Sequence, residues 1–125
     1  MFLVDTSVWI DFLRKGNALL NDLLLDGKVA THPLIYGELS VGNLSKRKQF
    51  FSMFSDLPSV PECPHEEVLF MIEKHQLYRN GIGYTGAHLL CSATIYDIQL
   101  WTLDKRLNKL TKTLTKLDNP SNAKR

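Results

Sequence analysis

NGIGYTGAHLLCSATIYDIQLWTLDKRL, residues 80–107, is the stretch that decides the fold. It opens with a glycine-punctuated loop, passes into an apolar run, and ends on a short β-type segment followed by Asp104. Ala87, Leu90, Cys91 and Thr94 recur at the spacing of one helical face, so a helix is expected from about Thr85 to Tyr96. Ile98 to Leu103 reads as a strand, and a final amphipathic helix begins after Asp104.

Outward from this stretch the same alternation recurs. Phe2 to Val4 suits a buried strand and ends at Asp5, and Thr6-Ser7 can cap a following helix through Lys15. Ala18 to Leu25 is helical and stops at Asp26-Gly27. Val29 to Thr31 is a short strand, and Pro33 suits the first turn of a helix carrying Tyr36, Glu38 and Leu39. Helices are expected over Lys46 to Phe54 and His65 to Tyr78, with Ser59-Val60 pairing briefly between them. Strands that alternate with helices imply an α/β fold with a short parallel sheet flanked by helices. Such sheets bind ligands beyond the carboxyl ends of their strands. Asp5 and Asp104 each follow a strand-like run, which puts two carboxylates at one edge.

With 125 residues the chain is expected to form one domain, residues 1–117, followed by a flexible tail over 118–125. No apolar run approaches the ~18 residues of a membrane span, and MFLVDTSVW does not read as a signal peptide. Cys63 and Cys91 lie far apart without paired spacing and read as reduced thiols of a cytoplasmic protein in preference to the alternatives, a disulfide or a zinc site. The net charge is only +2, yet Lys105 to Arg125 holds seven basic residues against the single acid Asp118. Lys46, Arg47 and Lys48 form a second basic cluster. Basic faces attract phosphate backbones, though a solvated helix face has the same composition.

Asp5, Glu38 and Asp104 are distant in sequence, but the α/β reading lets them converge. Crowded carboxylates suit a divalent cation such as Mg2+ or Mn2+, which can activate water and relieve charge on a phosphate. Each acid has a structural alternative. Asp5 and Asp104 precede helices and could serve as caps, and Glu38 could face solvent. Thr6, Ser7 and Thr102 adjoin these acids and could orient a water or make turn bonds. His32, His65, His75 and His88 share no ligand spacing and read as packed or surface residues. Trp9, Phe12 and Tyr36 could line a groove for a partner peptide or pack in the core.

Four ordered segments, LVDTSVWIDFL, PLIYGELS, GIGYTGAHLLCSA and LWTLDKRL, give the chain its resemblance to the PIN-domain ribonucleases, specifically the VapC-like toxins of type II toxin–antitoxin systems. The match extends from Phe2 to Leu107. The resemblance implies a PIN-like α/β/α sandwich and Mg2+-dependent (or Mn2+-dependent) endoribonuclease activity. It also implies a homodimer and a cognate small antitoxin that blocks the site. Asp5, Glu38 and Asp104 take the places of metal-binding, catalytic acids. The family has an aspartate immediately before the AHLL run, where this chain has Gly86. The chain therefore reads as a toxin nuclease impaired by one missing ligand, either as a degenerate natural member or through a deliberate Asp-to-Gly change. Asp97 lies at the far end of the same helix, too distant to substitute. Lys105, Arg106, Lys109 and Lys112 become candidate RNA contacts. The alternative is a catalytically inactive PIN-like module acting by antitoxin or RNA binding. A phosphatase-like enzyme of the haloacid-dehalogenase type would use Asp5 as nucleophile, but Ser7 stands where such enzymes place a second Asp.

Overall fold

A computed structural model describes residues 1–114, so the tail expected over 118–125 lies outside the described residues. Three short strands, β1 (Phe2–Val4), β2 (Val29–Ala30) and β3 (Gln99–Trp101), form one sheet in the order β2-β1-β3. Both pairings are parallel, with Leu3 opposite Ala30 on one side and Leu100 on the other. Leu3, Val4 and Leu100 are completely buried, as a sheet covered on both faces requires.

The connections are helical. Helices α1 (Thr6–Lys15) and α2 (Ala18–Leu25) join β1 to β2. Gly16, at φ 83°, ends α1 in a conformation that side chains resist. Asn17 then caps α2, its side chain accepting from Leu20 N at 3.0 Å. Helices α3 (Pro33–Ser40), α4 (Arg47–Ser55), α5 (His65–Lys74) and α6 (Tyr84–Ile95) lead on to β3, and α7 (Lys105–Leu114) follows it. This is the PIN-like α/β arrangement that the four motifs implied.

The structure corrects several boundaries. The helix expected over His65 to Tyr78 stops at Lys74 because Gln76 takes a left-handed φ of 52°. A single 3-10 turn, Leu77–Arg79, follows. The strand expected over Ser59-Val60 is reduced to an isolated bridge between Thr31 and Ser59. Helix α6 is not amphipathic: all residues from Ala87 to Ala93 are buried, so a second apolar face lies under the one read from spacing. It is the central helix of the core, and its first turn borders the site.

Candidate functional site

The parallel pairing of β1 and β3 continues one residue past the strands, where Asp5 N donates to Trp101 O at 2.9 Å. Asp5, Thr102 and Asp104 therefore leave the sheet at the same carboxyl edge. A cavity of about 320 Å³ opens there. Asp5, Glu38, Asp104 and Gly86 all line it.

The structural alternatives for the acids now separate. Asp5 occupies the N-cap position of α1 but makes no side-chain capping bond. Its Oδ2 instead accepts from Thr102 Oγ1 at 2.7 Å and from Ser7 Oγ at 2.9 Å. Glu38, although exposed, is not left to solvent alone, since its Oε1 accepts from Thr6 Oγ1 at 2.6 Å. Asp104 does cap a helix: its Oδ1 accepts from Arg106 N at 2.9 Å and Leu107 N at 3.2 Å.

The three hydroxyls thus aim carboxylates. Ser7 and Thr102 each have one hydroxyl proton, and each directs it at Asp5. Their oxygens also accept backbone N–H groups, Leu103 N on Ser7 and Asp104 N on Thr102. One small network therefore fixes Asp5 and the turn that carries Asp104.

Gly86 is the third residue of α6, where no acidic residue stands in the first turn. A Cβ there would meet Ile82 Cβ and Leu107 Cδ2 at 3.6 Å each, ordinary contact distances. Packing therefore does not demand glycine. Gly81 differs: its φ is 69°, and a Cβ would stand 2.5 Å from Arg106 Nη1. This glycine seats the Arg106 side chain against the loop that leads into the cavity. Tyr84 also lines the cavity, and sequence reasoning missed it. Its hydroxyl pairs with His65 Nδ1, and its ring stands edge-on to His88 at 4.5 Å. Its only sequence signal is its place within GIGYTG.

The donors suit a hard divalent cation. All are carboxylate oxygens, and the one ion pair among the described residues, Lys15 with Asp11, lies elsewhere on α1. The acids therefore share a cavity in which, among the described residues, no cationic side chain is paired to them. They are not a tight trio, however. Among the described residues, only Cys63, Glu67 and Cys91 bring three such ligand atoms within 4.8 Å of one another. A spread set of acids fits Mg2+ or Mn2+, which keep several waters, better than a metal caged by protein alone.

Lys105, Arg106, Lys109 and Lys112 are exposed on α7. The second basic cluster is partly committed to structure. Arg47 donates to Ser40 O at 2.6 Å and Gly42 O at 2.9 Å, and lies over the Phe51 ring.

Of the aromatic residues proposed for a groove, Trp9 is completely buried against Phe50 and Phe54. Only Tyr36 reaches a second cavity, about 400 Å³ and mainly apolar, beside Phe54 and Leu57.

His32 is a structural residue. Its Nδ1 accepts from Leu34 N at 3.1 Å and caps α3, so the ring proton sits on Nε2, 3.1 Å from Ser92 Oγ. Ser92 in turn donates to Pro61 O at 3.0 Å. Burial, with a smaller push from His88, lowers the His32 pKa to about 4. The folded state therefore holds this histidine neutral below the pH at which an unfolded chain protonates it. Its contribution is intact above about pH 6.5 and drains as pH falls toward 4, by ~1.4 kcal/mol per pH unit. Urea unfolding between pH 7 and pH 4.5 should show this loss. His32→Asn, which keeps a capping side chain, should flatten the slope. An unchanged slope would assign the acid lability to other groups.

A PIN-like sheet with acids gathered at its carboxyl edge defines the class to which the fold and site belong. Ribonuclease VapC32 of Mycobacterium tuberculosis, from strain CDC 1551 / Oshkosh and from strain ATCC 25618 / H37Rv, is 41% identical over 108 residues. The match covers 86% of this chain and 87% of the relative. The chain belongs to the VapC ribonuclease family. The crystal structure of PAE2754 from Pyrobaculum aerophilum superposes with a TM-score of 0.59 at 17% identity, over 93% of this chain and 90% of that one, a likeness of fold. No protein-family model matches the chain.

Proposed function

We propose that the chain is a Mg2+- or Mn2+-dependent endoribonuclease toxin of a toxin–antitoxin pair, with Asp5, Glu38 and Asp104 as its catalytic and metal-binding acids. Residues 1–117 form the nuclease domain, and Gly86 lowers its activity. The observation that carries this reading is the meeting of three acids around one cavity, with no cationic side chain paired to them among the described residues. The ribonuclease relatives support the reaction class.

A bound Mg2+ or Mn2+ supplies water activation and charge relief on the phosphate. The chain supplies position. Ser7 and Thr102 hold one oxygen of Asp5, and Thr6 holds one oxygen of Glu38, so two acids meet the cation with little freedom left to lose. Asp104 spends Oδ1 on the α7 cap and offers its other oxygen. Lys105 and Arg106 stand in the first turn of α7, where cations oppose the helix dipole. That arrangement costs local stability and is accounted for if they hold RNA phosphate, with Lys109 and Lys112 continuing the track. A small antitoxin covers the acidic cavity in the inhibited complex, an arginine or lysine of its tail pairing with the acids. The active form is a cytoplasmic homodimer.

Residual RNA cleavage, measured with Mn2+ at high protein concentration, should vanish in Asp5→Asn while RNA binding stays within about twofold. Thr102→Val, which removes an orienting bond and leaves every acid, should lose ~10-fold. Cleavage that survives both changes would remove the proposed site. The second reading, an inactive module that still binds RNA or antitoxin, is favoured by Gly86 itself. It predicts binding without any metal-dependent cleavage.

A further inference from the structure

The two cysteines, 28 residues apart in sequence, meet in space. Cys63 lies just before α5 and Cys91 lies within α6; both are buried free thiols. The first turn of α5 brings Glu67 to them, and one ligand atom from each of the three lies within 4.8 Å of the other two. The α5 and α6 helices are packed neighbours, so the trio spans their contact.

We propose that Cys63, Glu67 and Cys91 form a zinc-binding site, separate from the acidic cavity, that pins α5 to α6. Two thiolates select a borderline-soft metal over Mg2+. Zn2+ takes sulfur and carboxylate ligands together and prefers four-coordinate geometry. Glu67 is exposed, so solvent reaches the trio and a water completes the set.

Surroundings favour an ordered Cys63. Its Sγ lies 3.6 Å from Ser92 Oγ, and that hydroxyl is held by Pro61 O and His32 Nε2. Because Ser92 gives its one proton to Pro61 O, the Cys63 thiol is the donor of this contact; it fixes the rotamer of the free thiol and is given up when a metal replaces that proton. Without metal, burial first, then the Cys63 thiol and Glu67, push the Cys91 thiol up to about 12. Its neighbours thus resist a bare thiolate, and a divalent cation reverses their effect. Binding displaces a proton from each thiol into solvent, leaves the Glu67 carboxylate as it was, and changes no oxidation state. Affinity should therefore rise with pH.

The site reaches the proposed nuclease centre through α6, whose first turn carries Gly86 and Tyr84, and through His65 of α5, which pairs with the Tyr84 hydroxyl; none of the three proposed ligands lines the acidic cavity. Its test can therefore ignore RNA cleavage. The whole chain, reduced and stripped of metal, is titrated with Co2+ as a spectroscopic substitute for Zn2+. The expected result is a sulfur-to-cobalt charge-transfer band, with release of protons to the buffer and a higher melting temperature in Zn2+. Asp5→Asn should leave the band unchanged, because oxygen ligands do not produce it. Cys91→Ala should abolish it. Should Cys91→Ala fold poorly, Glu67→Gln at an exposed position serves instead and should weaken Co2+ binding at least ~10-fold. Absence of the band in the unaltered chain would overturn the proposal, as would a band indifferent to Glu67→Gln. A Cys63–Cys91 disulfide forming in air, with no metal uptake by the reduced protein, would equally overturn it.

Discussion

Gly86→Asp should raise Mg2+-dependent RNA cleavage by ~10²–10³-fold, the scale of restoring one preorganised electrostatic contact. Space is available, since a Cβ at this position meets Ile82 and Leu107 at no less than 3.6 Å. The position is also electrostatically receptive. It lies in the first turn of α6, which carries no acid, and a carboxylate near a helix N-terminus gains ~0.3–1 kcal/mol. Helix propensity adds only ~0.3 kcal/mol more, because aspartate ranks just above glycine. Against this, a further carboxylate joins Asp5, Glu38 and Asp104 in one cavity. Repulsion among them should cancel much of the gain in metal-free protein and disappear when Mg2+ binds.

Two readouts follow. The variant should be stabilised by Mg2+ far more than the unaltered chain, and its Mg2+ affinity by calorimetry should be higher. It should also inhibit bacterial growth when expressed without an antitoxin, while the Gly86 form is tolerated. RNA binding should change little, because Lys105, Arg106, Lys109 and Lys112 lie on α7 and keep their exposure. Equal cleavage by the two forms would show that three acids suffice. A gain in Mg2+ affinity without a gain in cleavage would place the defect elsewhere in the site.

The sequence made the sheet edge legible because local rules governed it. Short apolar runs ending in Asp5 and near Asp104 can pair only as buried strands, and parallel pairing then aligns their ends. Glu38 required the motif, since helix periodicity alone does not say which neighbour an exposed glutamate meets. The bond from Thr6 Oγ1 to Glu38 Oε1 joins residues 32 apart in sequence and is set by how α3 packs on α1. The break after Lys74 was hidden for a related reason. The run from His65 to Tyr78 keeps an apolar face throughout, and the left-handed turn at Gln76 leaves no mark in composition. The meeting of Cys63 with Cys91 depends on the docking of α5 on α6, which no spacing within either segment encodes.

Trp9→Ala should destabilise the fold by ~3–5 kcal/mol, a large share of the ~5–15 kcal/mol typical of a domain. Trp9 is completely buried, and its ring makes edge-on contacts with Phe12 at 6.0 Å, Phe50 at 5.7 Å and Phe54 at 5.2 Å. Those partners join α1 to α4, so the truncation opens a cavity between two helices that cannot simply collapse. Trp9→Phe should cost much less. It keeps an aromatic ring for the edge-on contacts and removes Nε1, a buried donor without a hydrogen-bond partner among the described residues. The consequence reaches the site because α1 begins at Thr6, with Asp5 as its N-cap. Loosening α1 displaces Asp5, Thr6 and Ser7 together. In the Gly86→Asp background, Trp9→Ala should therefore lose cleavage in step with its loss of stability, while Trp9→Phe retains most of both. Urea denaturation alongside cleavage assays checks the pair. A Trp9→Ala protein that kept its stability and lost only affinity for the antitoxin would return Trp9 to a peptide-binding role.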